Sequence, residues 1–150
     1  MKLHSGDLLA GTQFSAGRYL EKVEMKGADF FKIEDINNRA IHYISVSDLK
    51  KMRKLPSKKT VLDYLKILTG KKLIDVEASG LTRYQHLKNK AKSASFKQLV
   101  ECLHDLHLLR TSKQASTSEV KLYNSTKKKL FEEVSIVLGQ PLEELEAAYL

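Results

Sequence analysis

Hydrophobic and polar residues alternate in short runs along the first third of the chain. Alternation with a period of two is typical of a β-strand that buries one face. Asn37 and Asn38 separate the last two runs, and asparagine tolerates the left-handed backbone angles of a hairpin turn. The pattern predicts a small, strongly bent antiparallel sheet over residues 1–56, with strands in the runs 3–9, 18–25, 29–36 and 40–46.

From residue 57 onward the hydrophobic residues recur every three or four positions, which is the spacing of amphipathic helices. Ser57 and Ser95 stand where helix N-caps are expected, and Ser116-x-x-Glu119 has the sequence of a capping box. Gly139 is expected to end a long helix, before a short last one. We predict an α+β chain, in which residues 57–80 form a helix and a connector and residues 81–150 form an all-α domain.

Positive charge is unevenly placed within the predicted helical domain, where it lies on the second to fourth helices. The chain of 150 residues has a formal net charge of +8, yet residues 131–150 contain five glutamates and neither lysine nor arginine. Residues 81–99 contain no acidic residue. Basic side chains that neutralise phosphates release condensed counterions, so this distribution predicts a DNA-binding surface. Its candidate residues are Arg83, Lys88, Lys90 and Lys92 of the second predicted helix, and Lys121 and Lys128 of the fourth.

The sequence offers few groups for catalysis or metal binding. Cys102 is the only cysteine, and stable zinc sites usually draw three or four ligands from several elements. His104 and His107 are therefore expected to have packing or capping roles. The sequence contains no phosphate-loop motif and no glycine-flanked nucleophile. We therefore expect no enzymatic activity, no cofactor and no metal. The sequence has neither a recognisable signal peptide nor a long apolar stretch, so we expect a cytoplasmic, nucleoid-associated protein.

The order of these elements resembles the CarD/CdnL family of bacterial transcription regulators over nearly the whole chain. The motifs that are similar to the family's are Ser5-Gly6-Asp7, the strands 29–34 and 41–46, Met52-Arg53-Lys54-Leu55, Arg83-Tyr84, His104-Asp105-Leu106 and Ser116-x-x-Glu119. The resemblance implies a Tudor-like N-terminal domain that binds the β subunit of RNA polymerase. It also implies a helical domain that contacts promoter DNA and stabilises the open complex.

Two regions depart from the family pattern. The family has a tryptophan just before the Arg-Tyr pair, which is wedged into the minor groove, whereas this chain has Gly80 and Leu81 there. An aliphatic side chain can also enter between base steps, so Gly80 and Leu81 are the candidates for the wedge. In the strand that corresponds to the polymerase contact, Tyr43 and Ser45 replace an arginine and a proline.

The polymerase-binding residues implied by the resemblance are His42, Tyr43, Ile44 and Ser45. Strand addition would use their backbone groups more than their side chains. The partners are then RNA polymerase and promoter DNA, with no membrane contact, and we expect a monomer. Two other functions stay open. The helical domain could bind another protein instead of DNA, or the chain could be a standalone nucleic-acid-binding protein with a structural sheet domain.

Overall fold

The computed structural model describes residues 2–74, 81–93 and 95–150, and for Leu81 the backbone alone. The chain divides into two compact units, Met1–Leu55 and Pro56–Leu150. We call them the sheet unit and the helical unit. An antiparallel sheet in the first and helices in the second confirm the predicted α+β class.

The sheet unit contains five strands, β1 (Leu8–Gly11), β2 (Gly17–Met25), β3 (Ala28–Asp35), β4 (Ile41–Ser45) and β5 (Met52–Lys54), with a 3-10 helix at Val46–Lys51. They form one antiparallel sheet in the order β4-β3-β2-β1-β5. A shift of register between Tyr19 and Glu21 interrupts the β2–β3 pairing, and such bulges increase the local twist. The short strand β5, which pairs with β1, is not among the predicted strands.

Backbone angles with positive φ close both hairpins. Lys26 and Gly27 connect β2 to β3 with φ values of 52° and 79°, as a two-residue turn that follows the strand twist requires. Between β3 and β4 the left-handed residue is Arg39, with φ of 63°. The Asn38 side chain instead accepts a hydrogen bond from the Ala40 N–H, at 2.8 Å. The turn lies where the two asparagines predicted it, but its strained residue is the one after them.

A hydrophobic core fills the inner face of the sheet. At Gly17 the packing leaves no room for a side chain, because a Cβ there would lie 2.5 Å from Ile33 Cγ2 and 2.9 Å from Phe14 Cε2. Glycine is therefore required at this position, where β2 begins. The buried hydrophobic residues of this core are Leu9, Phe14, Tyr19, Phe31, Ile33, Ile44 and Met52.

The helical unit has one core, to which all of its α-helices contribute. Val61, Leu65 and Leu68 are buried in this core together with residues of the later helices. The first helix, which is predicted to form a separate segment with the connector, is thus an integral part of the helical unit. The helices are α1 (Lys58–Leu65), α2 (Leu81–Lys92), α3 (Phe96–Thr111), α4 (Thr117–Leu138) and α5 (Leu142–Tyr149), with a 3-10 helix at Lys66–Thr69 after α1.

The predicted caps define the helix ends. Ser57, Ser95 and Ser116 each accept a hydrogen bond from a backbone N–H in the first turn of α1, α3 and α4. Gly139 ends α4 with left-handed backbone angles, for which glycine carries no steric penalty. These polar ends fix the helix boundaries to within a residue or two of the prediction.

Candidate nucleic-acid interface and sheet edge

The predicted DNA-binding residues fall into two groups in the structure. Lys92, Lys121 and Lys128 are exposed, and Lys88 is half-buried with its Nζ 5.8 Å from the centre of the Tyr84 ring. These four ammonium groups are accessible to a phosphate. Arg83 and Lys90 are instead engaged inside the helical unit.

Arg83 connects α2 to the start of α4. Its Nε donates to Glu119 Oε2 at 2.7 Å, and its Nη2 donates to Glu119 Oε1 at 2.6 Å and to the Gln114 carbonyl oxygen at 3.1 Å. The Glu119 side chain is 1% exposed and that of Arg83 is 15% exposed. A two-point contact of this kind is the strongest arrangement of an arginine and a carboxylate.

Glu119 has a second role in the capping box of α4. Its Oε1 accepts the Ser116 N–H at 2.9 Å, while Ser116 Oγ accepts the Glu119 N–H at 3.1 Å. Burial acts to raise the pKa of this carboxyl, but the hydrogen bonds from Arg83 and Ser116 outweigh burial, and the pKa is lowered. The ion pair with Glu119 likewise raises the pKa of Arg83. The pair is therefore fully charged at neutral pH.

A second ion pair connects α2 to α3. Lys90 is 8% exposed, and its Nζ lies 3.5 Å from Glu101 Oε1. Next to Glu101, the Cys102 thiol donates to the Leu87 carbonyl oxygen at 3.2 Å. Burial raises the pKa of this thiol to about 12, so that it stays protonated and unreactive. Cys102 is thus a buried member of the hydrophobic core of the helical unit.

His104 and Asp105 hold the chain that follows Gly70. His104 Nε2 lies 2.8 Å from the Lys72 carbonyl oxygen, to which it donates, and Asp105 Oδ1 accepts the Ile74 N–H at 2.8 Å. Both side chains are buried. The sequence predicts a packing or capping role for His104. Its spacing pattern could not reveal a hydrogen bond between residues 32 positions apart.

His107 packs against a tyrosine that also meets two cations. Its ring is stacked on that of Tyr123, with centroids 6.1 Å apart. Arg110 lies 5.0 Å and Lys127 5.4 Å from the centre of the Tyr123 ring. Burial lowers the pKa of His107, and the charge of Arg110 lowers it further, which favours a neutral imidazole. The Tyr123 ring thus contacts one cation from α3 and one from α4.

The predicted polymerase-binding residues lie on β4, at one end of the strand order. Within the described residues, β4 pairs with β3 alone. The Ile44 side chain faces the core, while Ile41 and Tyr43 are exposed on the opposite face, as their alternation predicts. His42 lies on the inner side, 5.7 Å from the Phe14 ring, with its Nε2 3.8 Å from Asp35 Oδ2.

The register determines which backbone groups of β4 face outward. The Asp35 N–H points at β4, since it donates to the Ala40 carbonyl oxygen at 2.8 Å. Backbone groups alternate in direction along a strand, so the groups of Phe31 and Ile33 also point at β4, to their partners Ile44 and His42. The backbone groups of the residues between them, Ile41, Tyr43 and Ser45, therefore point away from the sheet.

Some predicted features are outside the described residues. The predicted segment of helix and connector, residues 57–80, includes residues 75–80, which are not described. Gly80, one wedge candidate, is among them, and Leu81 is described only as the first backbone residue of α2. Among the helices that are described, none combines the length and the apolar character needed to cross a lipid bilayer.

Comparison with known proteins identifies the helical unit. The family model for the CarD C-terminal domain matches residues 63–149, which is more than half of the chain. The match begins within α1 and extends through α5. No curated protein sequence matches the chain significantly. The resemblance inferred from the motifs is thereby confirmed, and this chain belongs to the CarD family.

Proposed function

We propose that this protein regulates transcription by binding RNA polymerase through its sheet unit and promoter DNA through its helical unit. Membership of the CarD family supports a role in transcription. The exposed lysines of α2 and α4 support the contact with DNA, and the outward-facing backbone of β4 supports the contact with the polymerase β subunit. The proposal includes no enzymatic step.

The observation that carries the DNA contact is the position of four lysines on two helices joined by an ion pair. Lys92, Lys121 and Lys128 are exposed, and Lys88 is half-buried. Lysine ammonium groups bind phosphate as point charges and read no base sequence. Position on the genome would therefore come from the polymerase. Leu81, the first residue of α2, and Gly80, which precedes it in the sequence, would prop the opened duplex as an apolar wedge.

The DNA contact is tested by changing Lys88 and Lys92 to alanine in the full chain. Each phosphate contact releases roughly 0.9 counterion, so the slope of log affinity against log salt should flatten by about 1.8 units, for every duplex sequence alike. Fluorescence anisotropy with labelled duplexes over a salt series measures this slope. The matched control changes Lys2 and Lys50, two exposed lysines of the sheet unit, to alanine. If the slope flattened equally in both double variants, the effect would come from net charge alone, and the proposed surface would be contradicted.

The polymerase contact is tested at Tyr43, whose N–H points outward. Tyr43→Pro removes this donor, and proline is tolerated on edge strands. Pull-down of RNA polymerase by the full-length variant should be lost, whereas Tyr43→Ala, which keeps the N–H, should retain most binding. Proline at Ile44 would be a poor test, because that residue bonds to β3 and its side chain is in the core. Undiminished pull-down by a folded Tyr43→Pro variant would rule out strand addition at β4.

A further inference from the structure

Helix α2 has little apolar surface with which to pack on the helical unit. Among its described side chains, Leu87 is the one buried hydrophobic residue, and Ala91 is partly buried against the same core. A helix that is polar around most of its circumference needs other interactions to hold it in place.

The two ion pairs, Arg83–Glu119 and Lys90–Glu101, supply such interactions for α2. Arg83, Leu87 and Lys90 are spaced i, i+4 and i+7, so they lie along one face of the helix. On this face a buried leucine stands between two cations, each bound to a glutamate of another helix: Glu119 of α4 and Glu101 of α3. Tyr84, Lys88 and Lys92, at i, i+4 and i+8, lie along a different face.

We propose that Arg83 and Lys90 are positioning residues, which dock α2 on the helical unit and thereby orient Lys88 and Lys92 toward the DNA backbone. This inference rests on the proposed contact between the helical unit and DNA. The basic residues of α2 divide into an inner pair that holds the helix and an outer pair that contacts phosphate.

The geometry opposes a direct phosphate contact by Arg83. Both Nε and Nη2 already donate to acceptors within the unit. If the guanidinium turned toward a phosphate, it would leave the Glu119 carboxylate, 1% exposed, without its cation. An uncompensated buried charge is far more costly than the small gain from one more exposed phosphate contact.

The decisive variant is Glu119→Gln, because the two roles of Arg83 predict changes of opposite sign. If Arg83 contacted DNA directly, removing its acidic partner would free it and raise the affinity. If Arg83 positions α2, the variant should bind DNA more weakly, with a slope of log affinity against log salt that is shallower by about 1–2 units, since roughly 0.9 counterion is lost per contact. Glutamine can still complete the capping box of α4, so the change removes mainly the charge.

Two further variants separate positioning from general effects. Glu143→Gln removes an exposed glutamate of α5 and controls for net charge; its salt slope should match that of the parent. Arg83→Lys keeps the charge but loses the two-point geometry, so it should resemble Glu119→Gln. Adding Lys88→Ala and Lys92→Ala to Glu119→Gln should give less than the sum of the separate losses, because all three changes act on the same contacts.

A measurement without DNA distinguishes failure of this inference from failure of the proposed function. Amide hydrogen exchange of the full chain should be faster in α2 of Glu119→Gln and Arg83→Lys, with α3 and α4 still protected. Unchanged exchange in α2, or a higher DNA affinity of Glu119→Gln, would overturn the positioning role. Absence of DNA binding by the parent protein would overturn the proposed function, and the exchange result would still decide whether the ion pairs dock α2.

Discussion

At the scale of single residues, Glu119 takes part in two separate contacts of the helical unit. One carboxylate caps α4 through Ser116 and holds α2 through Arg83. The sequence predicted the first role, because a capping box is a local pattern of four residues. It could not predict the second, since Arg83 lies 36 positions away and its basic side chain fits a phosphate contact equally well. Local signals identify caps, whereas long-range partners depend on how the helices pack.

The lowered pKa of Glu119 makes a prediction about acid stability. A carboxyl whose pKa is lower in the folded state stabilises that state above its unfolded pKa of about 4.3, and this contribution disappears as the pH falls through the folded value. The free energy of unfolding of the parent protein should therefore decrease from about pH 5 downward, and less steeply in Glu119→Gln.

Denaturant unfolding monitored in the helical unit at several pH values measures this difference. At pH 7 we expect Glu119→Gln to be less stable by about 1.5–3 kcal/mol, the usual worth of hydrogen bonds to a charged group. Glu143→Gln serves again as the control, with the pH dependence of the parent. If Glu119→Gln and the parent have the same dependence on acid, the carboxyl does not have a lowered pKa in the folded state.

At the scale of elements, the spacing of apolar residues predicts the first helix but not the elements on which it packs. The spacing of Val61, Leu65 and Leu68 predicts a helix correctly. It does not say which other elements cover the apolar face. The structure shows this face in the core of α2 to α5, so the helical unit begins at Pro56.

The position of α1 predicts different effects for two leucines of this helix. Leu65 is fully buried, so Leu65→Ala should lower the free energy of unfolding of the helical unit by about 2–5 kcal/mol through lost burial and the cavity left behind. Leu62, which is 45% exposed on the same helix, provides the matched control. Leu62→Ala should change the free energy of unfolding by less than about 0.5 kcal/mol. Denaturant unfolding, monitored through the amide exchange of α3, measures the free energy of unfolding of this unit. Equal effects of the two substitutions would contradict the assignment of α1 to the helical core.

At the scale of the whole molecule, the sequence predicted the class and the order of elements better than the site. Alternation and helical spacing are periodic signals, and they placed the sheet before the helices. The short strand β5 was missed because three residues carry no usable period. In the basic surface, counting charges could not separate the exposed Lys92 from the buried Lys90, since both are lysines on one helix and only the packing against Glu101 distinguishes them.

The outward direction of alternate backbone groups on β4 also constrains how selective the edge can be. A partner strand that slid by two residues would meet the same sequence of donors and acceptors, so the backbone alone cannot enforce one alignment. Side chains of β4 must then select the alignment of the partner strand, and Ile41 and Tyr43 are exposed apolar residues of this strand. Evolution could retune the alignment at these two positions without disturbing the core, because neither side chain contributes to it.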